Sequence, residues 1–437
     1  MRHEMSLFQR VAMQTEKIRP GYLTNPRATL NIVVDISGPL DTDVLGAAFR
    51  ELVERNETLR ARPIPDSTRT EAVPGADGVE LRPVESSGSP EQDAERLAAL
   101  LQETRIDIDA PPLVRGHLVA TGARRHLLGL VFHHFAVDPS SLRHALAELC
   151  GLYTALLAGR ELPPVPLPYS QYAQWQNKRL TERAAADRAG WQRALGDLPV
   201  PVYRRDTPFR PSAPVNGRVL RMEVLGDTRT EAVLDWSRVH RSTVFTTLLA
   251  AYGLALRSRA ETDDLVVASV FEQRDHPGVR KLVGPFVYPT LLPLRVRPGG
   301  LTAEYVGEVR SAVIEAYGRA QFPVVELLGL APQFAPGVLG TAPSWFRMFE
   351  YLPSRDTVPY AFGAALGTVT HSAGNQAEAN HFGQFMRVRR APDGALMGRI
   401  GYDANDMTED SVLAFVDDFR GHLTSLVTRR TAAPAHR

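Results

Sequence analysis

Apolar and polar residues alternate along the chain in patterns that predict strands and helices in turn. The stretch TLNIVVDIS, residues 29–37, is rich in β-branched residues and predicts a strand. Apolar positions at helical spacing between residues 44 and 53 predict a helix with Asp41 as its N-cap. The continuous apolar run HLLGLVF, residues 126–132, predicts a buried strand, and the sequence after Asp138 predicts a helix that ends at Gly159.

The second half of the chain repeats this alternation. Ser242 is a candidate cap for the helix STVFTTLLAAYGLALRSRA, and Thr408 is a candidate cap for the last helix. Strands are predicted for DLVVASVF (264–271), for TLLPLRVRP and for GALMGRIGYDA (394–404). Between the halves lie the proline-rich connector RELPPVPLPYS (160–170) and a helical stretch. We expect an N-terminal lobe over residues 1–178 and a C-terminal lobe over residues 179–437 that carries crossover segments.

Composition narrows the class of protein. The 437 residues are 44% hydrophobic and 23% charged, as is typical of a globular protein. The 50 basic and 49 acidic residues give a net charge of +1, which argues against a nucleic-acid partner. The N-terminus lacks the apolar core of a signal peptide, and no run approaches the roughly 20 apolar residues of a membrane span. Because Cys150 is the only cysteine, we expect a reducing, cytoplasmic location.

The candidate chemistry lies where the strand 126–132 meets the following helix. His133, His134 and Asp138 fall at this junction in the stretch LVFHHFAVDPSSL. Neighbouring side chains on a strand point to opposite faces, so one histidine can face a cleft while the other packs inward. Asp138 precedes Pro139, a residue suited to the first helical position, so Asp138 is the predicted N-cap. Two adjacent histidines chelate one ion poorly, so no metal site is predicted, and a purely structural pair is the alternative.

This junction resembles the HHxxxD motif of the condensation domains of nonribosomal peptide synthetases. That family shares a superfamily with chloramphenicol acetyltransferase and the CoA-dependent acyltransferases. Further stretches resemble motifs of the family and occur in its order. They are SLFQRVAM (6–13), RNETLRARP (55–63), YSQYAQWQ (169–176), GWQRALGDLP (190–199), GPFVYPTLLPLRV (284–296) and AQFPVVELL (320–328).

Three departures from the family pattern concern the surroundings of the motif. Pro139 stands where the family usually has glycine after the aspartate, and proline fixes φ near −65°. The stretch FVYPTLLPLR is two residues longer than its counterpart and has Tyr288 in place of asparagine. The stretch AQFPVVE lacks the family's histidine and aspartate. The histidines and the aspartate of HHxxxD are intact.

The resemblance implies a fold and a set of site residues. The fold is α+β, with two chloramphenicol-acetyltransferase-like lobes in a V-shaped pseudo-dimer and an active-site tunnel between them. His134 is the expected central catalytic residue and His133 packs behind it. Asp138 is the expected organiser, paired with Arg274 from the second lobe; the alternative is that Arg274 is a solvated residue at a strand end.

The resemblance also points to residues near the tunnel. Tyr288 lies in the altered crossover stretch. Met348 and Tyr351, in FRMFEYLP, are tunnel candidates together with Phe349, and core positions are the alternative for all three.

The implied function is acyl transfer from a thioester in natural-product, antibiotic-type biosynthesis. The donor would ride on the phosphopantetheine arm of a carrier protein that docks in trans, with no permanently bound cofactor. The acceptor would be an amine or a hydroxyl on a small molecule or on a carrier. We expect a free-standing, monomeric enzyme. The alternatives are a CoA-dependent acyltransferase of the same fold and an inactive condensation-like domain that recruits another enzyme.

Overall fold

The chain divides into two units, each with its own sheet and core. The computed structural model describes residues 2–18, 20–25, 28–76, 78–164, 167–211, 213–297, 299–353, 359–374 and 383–431. The first unit comprises Met1–Glu182, Glu272–Val287 and Asp356–Gln376. The second unit comprises Arg183–Phe271, Tyr288–Arg355 and Ala377–Arg437.

The helices and strands are numbered in chain order. The α-helices are α1 Leu7–Ile18, α2 Thr42–Arg55, α3 Pro90–Glu103, α4 Pro139–Leu157, α5 Tyr169–Leu195, α6 Asp227–Val239, α7 Val244–Arg257, α8 Ala303–Gly318, α9 Val324–Leu330, α10 Ala335–Leu339 and α11 Glu409–Thr431. The strands are β1 Arg2–Glu4, β2 Thr29–Ser37, β3 Ala61–Pro63, β4 Arg69–Ala72, β5 Leu81–Val84, β6 Val114–Gly122, β7 Arg125–His133, β8 Gly217–Leu225, β9 Asp264–Glu272, β10 Val287–Arg295, β11 Arg347–Leu352, β12 Tyr360–Phe362, β13 Ala365–Gly374, β14 Gln384–Arg390 and β15 Leu396–Asp403. Short 3₁₀ turns cover Glu57–Arg60, Pro277–Val279 and Pro332–Phe334.

The first unit is organised around a six-stranded sheet in the order β12-β13-β2-β7-β6-β5. The central pair, β2 and β7, is antiparallel, and its register places Thr29 opposite His133. Residues 29–34 of β2 and 126–133 of β7 are buried without alternation, so both faces of these strands are covered. Gly129, in the middle of β7, leaves room for Leu97 and Leu101 of α3, which explains a glycine within an apolar strand.

The second unit contains another six-stranded sheet, in the order β10-β9-β11-β14-β15-β8. Strand β11 runs parallel to both β9 and β14, whereas β14, β15 and β8 are antiparallel neighbours. Helix α7 is the central helix of this core, since eleven of its fourteen residues are buried. The last helix, α11, contributes Val412, Phe415, Val416 and Phe419 to the same core.

Most of the predicted elements are confirmed, and two predictions need correction. The N-cap of α7 is Thr243 and not Ser242, because the Thr243 hydroxyl is the group that accepts the N–H of Thr246, at 3.1 Å. The segments Glu272–Val287 and Asp356–Gln376, which the sequence assigned to the C-terminal lobe, cluster with the first unit. Strands β12 and β13 extend the first sheet, which is why the second of these segments belongs there. Residues 165 and 166 of the predicted connector lie outside the described residues.

Candidate functional site

The two motif histidines are adjacent at the end of β7, but their side chains lie in different environments. His133 is the last residue of the strand and its side chain is fully buried, whereas His134 is half-buried. The backbone N–H of His134 donates to the carbonyl of Ala28 at 2.7 Å, which anchors the start of the turn beside β2. His134 is the first residue of the turn after β7, and this turn places the two imidazoles in different environments.

His133 is held as a neutral, structural imidazole. Its Nε2 lies 2.8 Å from the carbonyl oxygen of Leu23, and its Nδ1 accepts the backbone N–H of Phe135 at 3.0 Å. A carbonyl oxygen can only accept, so Nε2 carries the proton. Burial lowers the pKa of His133 to about 4, and this effect outweighs the opposing hydrogen bond to Leu23. Both ring nitrogens are thus used by the fold.

His134 is fixed in one tautomer by a short-range backbone contact. Its Nδ1 lies 2.7 Å from the carbonyl oxygen of Val137, so Nδ1 is the protonated nitrogen. The lone pair of the ring is therefore on Nε2, the nitrogen that can act as a base. No side-chain pattern in the sequence points to Val137, because its contribution is a backbone carbonyl.

Asp138 combines the N-cap of α4 with a buried ionic contact. Its Oδ1 accepts the backbone N–H of Ser141 at 2.7 Å, and its Oδ2 accepts the backbone N–H of Phe286 at 2.8 Å. The Nη2 of Arg274 lies 3.1 and 3.2 Å from the two carboxylate oxygens. A carboxylate with no solvent exposure needs such donors to offset its lost hydration. Pro139 fits as the first residue of α4, so this departure from the family pattern leaves the cap intact.

Arg274 is a buried centre of hydrogen bonds and not a solvated residue, since 10% of its side chain is exposed. Its other hydrogen bonds reach the carboxylate of Glu272 at 2.6 Å, the carbonyls of Val279 and Leu282 at 2.9 and 2.8 Å, and the hydroxyl of Ser141 at 2.9 Å. With Asp138, these acceptors match the five N–H groups of a guanidinium. The role of Arg274 as a link between lobes needs correction, because both partners of the pair belong to the first unit.

An aromatic cluster explains why the Arg274 segment packs in the first unit. The ring of Phe286 lies 4.8 Å from Tyr172 and 5.5 Å from Tyr169, both on α5. The guanidinium of Arg274 lies 4.1 Å from the centre of the Phe286 ring, within the range of a cation–π contact. The motif YSQYAQWQ thus supplies the surface on which Arg274 is positioned against Asp138.

The hydroxyl of Ser141 links the start of α4 to the segment that contains Arg274 and Gly284, a role that the sequence did not predict. Its hydroxyl donates to the carbonyl of Gly284 at 2.5 Å and accepts the N–H of Gly284 at 3.1 Å. A signal for this role exists, since the third residue after an N-cap lies beside the capping side chain. The sequence does not show that its hydroxyl would reach Gly284, which is 143 residues away.

The start of α1 is locked by reciprocal hydrogen bonds. The Oγ of Ser6 accepts the N–H of Gln9 at 3.3 Å, and the Oε1 of Gln9 accepts the N–H of Ser6 at 3.1 Å, which is a capping box. The Oε1 of Gln176, at the end of the motif YSQYAQWQ, accepts the N–H of Leu7 at 2.9 Å. The S-x-x-Q stretch is therefore a helix-start device that is tied to α5.

The three predicted crossover and tunnel residues lie in the second unit. Tyr288 is buried on β10, with 1% of its surface exposed. Met348 and Tyr351 are half-buried on β11 and pack against the core of that unit, which includes the buried Phe349. Because Met348 and Tyr351 are three residues apart on one strand, their side chains point to opposite faces of the sheet. A wall role for these residues stays a prediction.

The second unit repeats the strand–turn–helix of the site without its imidazole. Strand β15 leads through residues 404–408 into α11, as β7 leads through residues 134–138 into α4. The N–H of Ala404 donates to the carbonyl of Asn216 at 2.8 Å. This hydrogen bond is equivalent to the one between His134 and Ala28 in the first unit. Thr408 caps α11, and its hydroxyl accepts the N–H of Ser411 at 3.3 Å. The equivalent turn therefore has Ala404 in place of the catalytic candidate.

A reactive thiol and a metal site are the other kinds of chemistry to consider in the described residues. The thiol of Cys150 is buried and burial raises its pKa to about 12, so it stays protonated and is a poor nucleophile. No cluster of three or more His, Cys, Asp or Glu side chains suited to a metal occurs in the ranges that the structure describes. None of the described helices combines the length and the apolar character that crossing a membrane requires.

We expect the Asp138 carboxylate to contribute far more to stability than an ordinary N-cap. The substitution Asp138→Ala removes the fully buried member of the ion pair and the acceptor of the N–H groups of Ser141 and Phe286, so the free energy of unfolding should fall by about 3–5 kcal/mol. The matched control is Asp41→Ala, which removes the exposed N-cap of α2 and should cost about 1 kcal/mol. Denaturant unfolding of the three proteins measures both values. Equal losses in the two variants would contradict the account of the Asp138 network.

We expect His133 to make the fold sensitive to acid. The pKa of His133 is about 4 in the folded protein against 6.5 in the unfolded chain. Its contribution to the free energy of unfolding is therefore complete above pH 6.5. This contribution is lost as the pH falls toward 4, because the unfolded chain then binds a proton that the folded protein does not. The loss should approach about 3 kcal/mol over this interval. The comparison is wild type against His133→Gln, measured by urea unfolding at pH 7 and pH 4.5. A difference between the two proteins that does not change with pH would contradict the buried neutral imidazole.

Comparison with known proteins identifies sequence relatives of this chain. The model of the condensation-domain family matches residues 27–333. One of the plipastatin synthase proteins of Bacillus subtilis (strain 168) is 30% identical over 310 residues, which are 68% of this chain and 8% of that protein. Surfactin synthase subunit 1 of the same strain is 27% identical over 330 residues, 74% of this chain and 9% of that protein. The chain thus spans less than a tenth of the length of these two relatives.

Solved structures share the fold along the whole chain. The SgcC5 protein from Streptomyces globisporus has a TM-score of 0.79 at 21% identity and covers 98% of this chain and 99% of its own. The X-domain in complex with OxyB, from teicoplanin biosynthesis, has a TM-score of 0.76 at 21% identity and covers 98% of this chain and 93% of its own. The predicted α+β class with two chloramphenicol-acetyltransferase-like lobes is confirmed by these likenesses. On the match of the family model, which spans more than half of its length and includes HHxxxD, the chain belongs to the condensation-domain family.

Proposed function

We propose that the protein is an acyltransferase that moves an acyl or aminoacyl group from a carrier-protein phosphopantetheine thioester to an amine or a hydroxyl. In this reaction the acceptor atom forms a bond to the thioester carbonyl carbon and the carbon–sulfur bond breaks. The proton of the acceptor passes to His134 and then to the departing thiolate. The product is an amide or an ester in the synthesis of a natural product.

The observation that carries this proposal is the hydrogen bond from Nδ1 of His134 to Val137. It keeps the lone pair on Nε2, so the ring is ready to accept a proton or to orient the acceptor. Once protonated, Nε2–H is a donor that can steady the developing oxyanion. His133 has both nitrogens occupied by the fold, and it supports the turn without taking part in proton transfer.

The Asp138–Arg274 contact supports an organising role for both residues. The carboxylate accepts from the backbone N–H groups of Ser141 and Phe286 and from Arg274, so its lone pairs are used by these donors of the first unit. Three residues separate His134 from Asp138, and the turn between them is held at both ends. A site of this kind gains rate by keeping the base in a fixed position.

The acceptor decides how much the base is needed. An α-amine has a pKa near 7.7–8.0, so a useful fraction is neutral and nucleophilic at pH 7. A hydroxyl needs its proton withdrawn before it attacks. Loss of the base should therefore affect ester formation more than amide formation.

The carrier protein is proposed as the donor partner, and a monomeric enzyme is part of the proposal. Two alternatives stay open to the same test. Acyl-CoA in place of the carrier would indicate a CoA-dependent acyltransferase. An enzyme-recruiting role, without acyl transfer, would indicate an inactive condensation-like domain; the intact HHxxxD motif argues against it.

We expect His134→Ala to abolish ester formation and to leave a reduced but measurable amide formation. General base catalysis is worth about 10²- to 10⁴-fold, and the hydroxyl acceptor should lose the larger part. The assay is intact-mass spectrometry of acyl-loaded carrier proteins mixed with the enzyme and a library of amines and alcohols. The control variant is His240→Ala, which removes a histidine of the second unit.

Three results of this assay would overturn the proposal. Full activity of His134→Ala with either acceptor would remove the imidazole from the mechanism. Acyl-loaded carriers that stay intact with every acceptor, while acyl-CoA is consumed, would move the protein to the CoA-dependent class. Loss of neither donor would favour the recruiting role.

A further inference from the structure

We propose that Phe8 is a positioning residue for His134: it fixes the plane of the imidazole and shields it from water during acyl transfer. This inference rests on the proposed function and extends it to a residue in a stretch that otherwise serves to start α1. The supporting observation is a ring contact inside the first unit, between the second residue of α1 and the turn after β7.

The two rings lie against each other in a tilted arrangement. Their centres are 5.0 Å apart and their planes meet at 37°. Aromatic pairs at this separation have a favourable contact beyond the burial of their surfaces. Phe8 is half-buried and packs against the core of the first unit, so its ring contacts both this core and His134.

The position of Phe8 is set by the start of its helix. The capping box of Ser6 and Gln9 brackets Phe8 in sequence, and Gln176 accepts the N–H of Leu7 directly before it. Such a locked first turn fixes the direction in which the side chain leaves the helix. The side chains of Ser6, Gln9 and Gln176 thus hold the first turn of α1 in place. The ring of Phe8, which is on this turn, contacts the imidazole of His134.

The contact supplies the restraint that the hydrogen bond of His134 lacks. The bond from Nδ1 to Val137 fixes one direction in the imidazole plane but permits rotation about that direction. A ring 5.0 Å from the imidazole and tilted by 37° limits this freedom and so directs Nε2. It also excludes water from the space that it occupies beside the base, and excluding water from an acyl-transfer site prevents hydrolysis of the thioester.

The kinetic test compares Phe8→Ala and Phe8→Tyr with the wild type. Misplacement of a base by about 1 Å can cost up to about 10²-fold, so Phe8→Ala should lower kcat by about 10- to 100-fold while KM for the acyl carrier stays the same. Acyl loss without acceptor should rise relative to transfer. Phe8→Tyr keeps the ring and should restore both values. The control is Phe271→Ala, which removes a half-buried phenylalanine of the second unit.

A second test does not depend on activity. In protein with ¹³C-labelled histidine, the Hε1 signal of His134, assigned by its loss in His134→Ala, should carry a ring-current shift from Phe8. Phe8→Leu keeps an apolar side chain but removes the ring, so the signal should move, while Phe271→Leu should leave it in place.

The outcomes separate this inference from the proposed function. Absence of acceptor-dependent transfer by the wild type overturns the proposed function and, with it, this inference. Transfer by the wild type together with an unchanged kcat and unchanged hydrolysis in Phe8→Ala overturns the inference alone. A loss of thermal stability in Phe8→Ala without any change in kcat has the same meaning, because it assigns Phe8 to packing only.

Discussion

The buried carboxylate of Asp138 is the constraint on which the site depends. It terminates the turn that carries His134, begins α4, and accepts from Arg274 and from the backbone of Phe286. A charge without solvent exposure is tolerated only when donors replace its hydration, so each of these groups must be in place together. The aromatic surface of α5 holds the segment that brings them. The position of the imidazole is therefore decided by residues that need not touch a substrate.

Comparison of the two units distinguishes the structural features of the site, which both units share, from the catalytic features, which only the first unit has. Both have a strand, a five-residue turn and a capped helix, with matching backbone contacts at His134 and Ala404. The cap is a threonine in the second unit, and its hydroxyl accepts the N–H of Ser411 and donates to the carboxylate of Asp206. In the first unit the cap is a carboxylate, which also accepts from Arg274. The extra charge and the imidazole occur together in one unit.

Periodicity and motif order predicted the elements and the central residues of the site. They did not predict the hydrogen bonds and packing contacts that join these residues. The strand 29–37, the Asp41 and Thr408 caps and the helix after Asp138 follow from local patterns, which depend on neighbouring residues alone. The membership of segment 272–287 did not follow, because it depends on how Phe286 packs on residues more than 100 positions away. The carbonyl of Val137 and the ring of Phe8 were missed for related reasons, since a backbone acceptor has no residue signature and a single aromatic residue has several common roles.

The tautomer of His134 tests the central claim most directly. In protein with ¹⁵N-labelled histidine, long-range ¹⁵N–¹H correlation spectra of the neutral ring distinguish the protonated nitrogen from the one with the lone pair. The account predicts a protonated Nδ1, donated to Val137, and a lone pair on Nε2. A neutral ring with its proton on Nε2 would contradict it, because the nitrogen assigned as the base would then have no lone pair to offer.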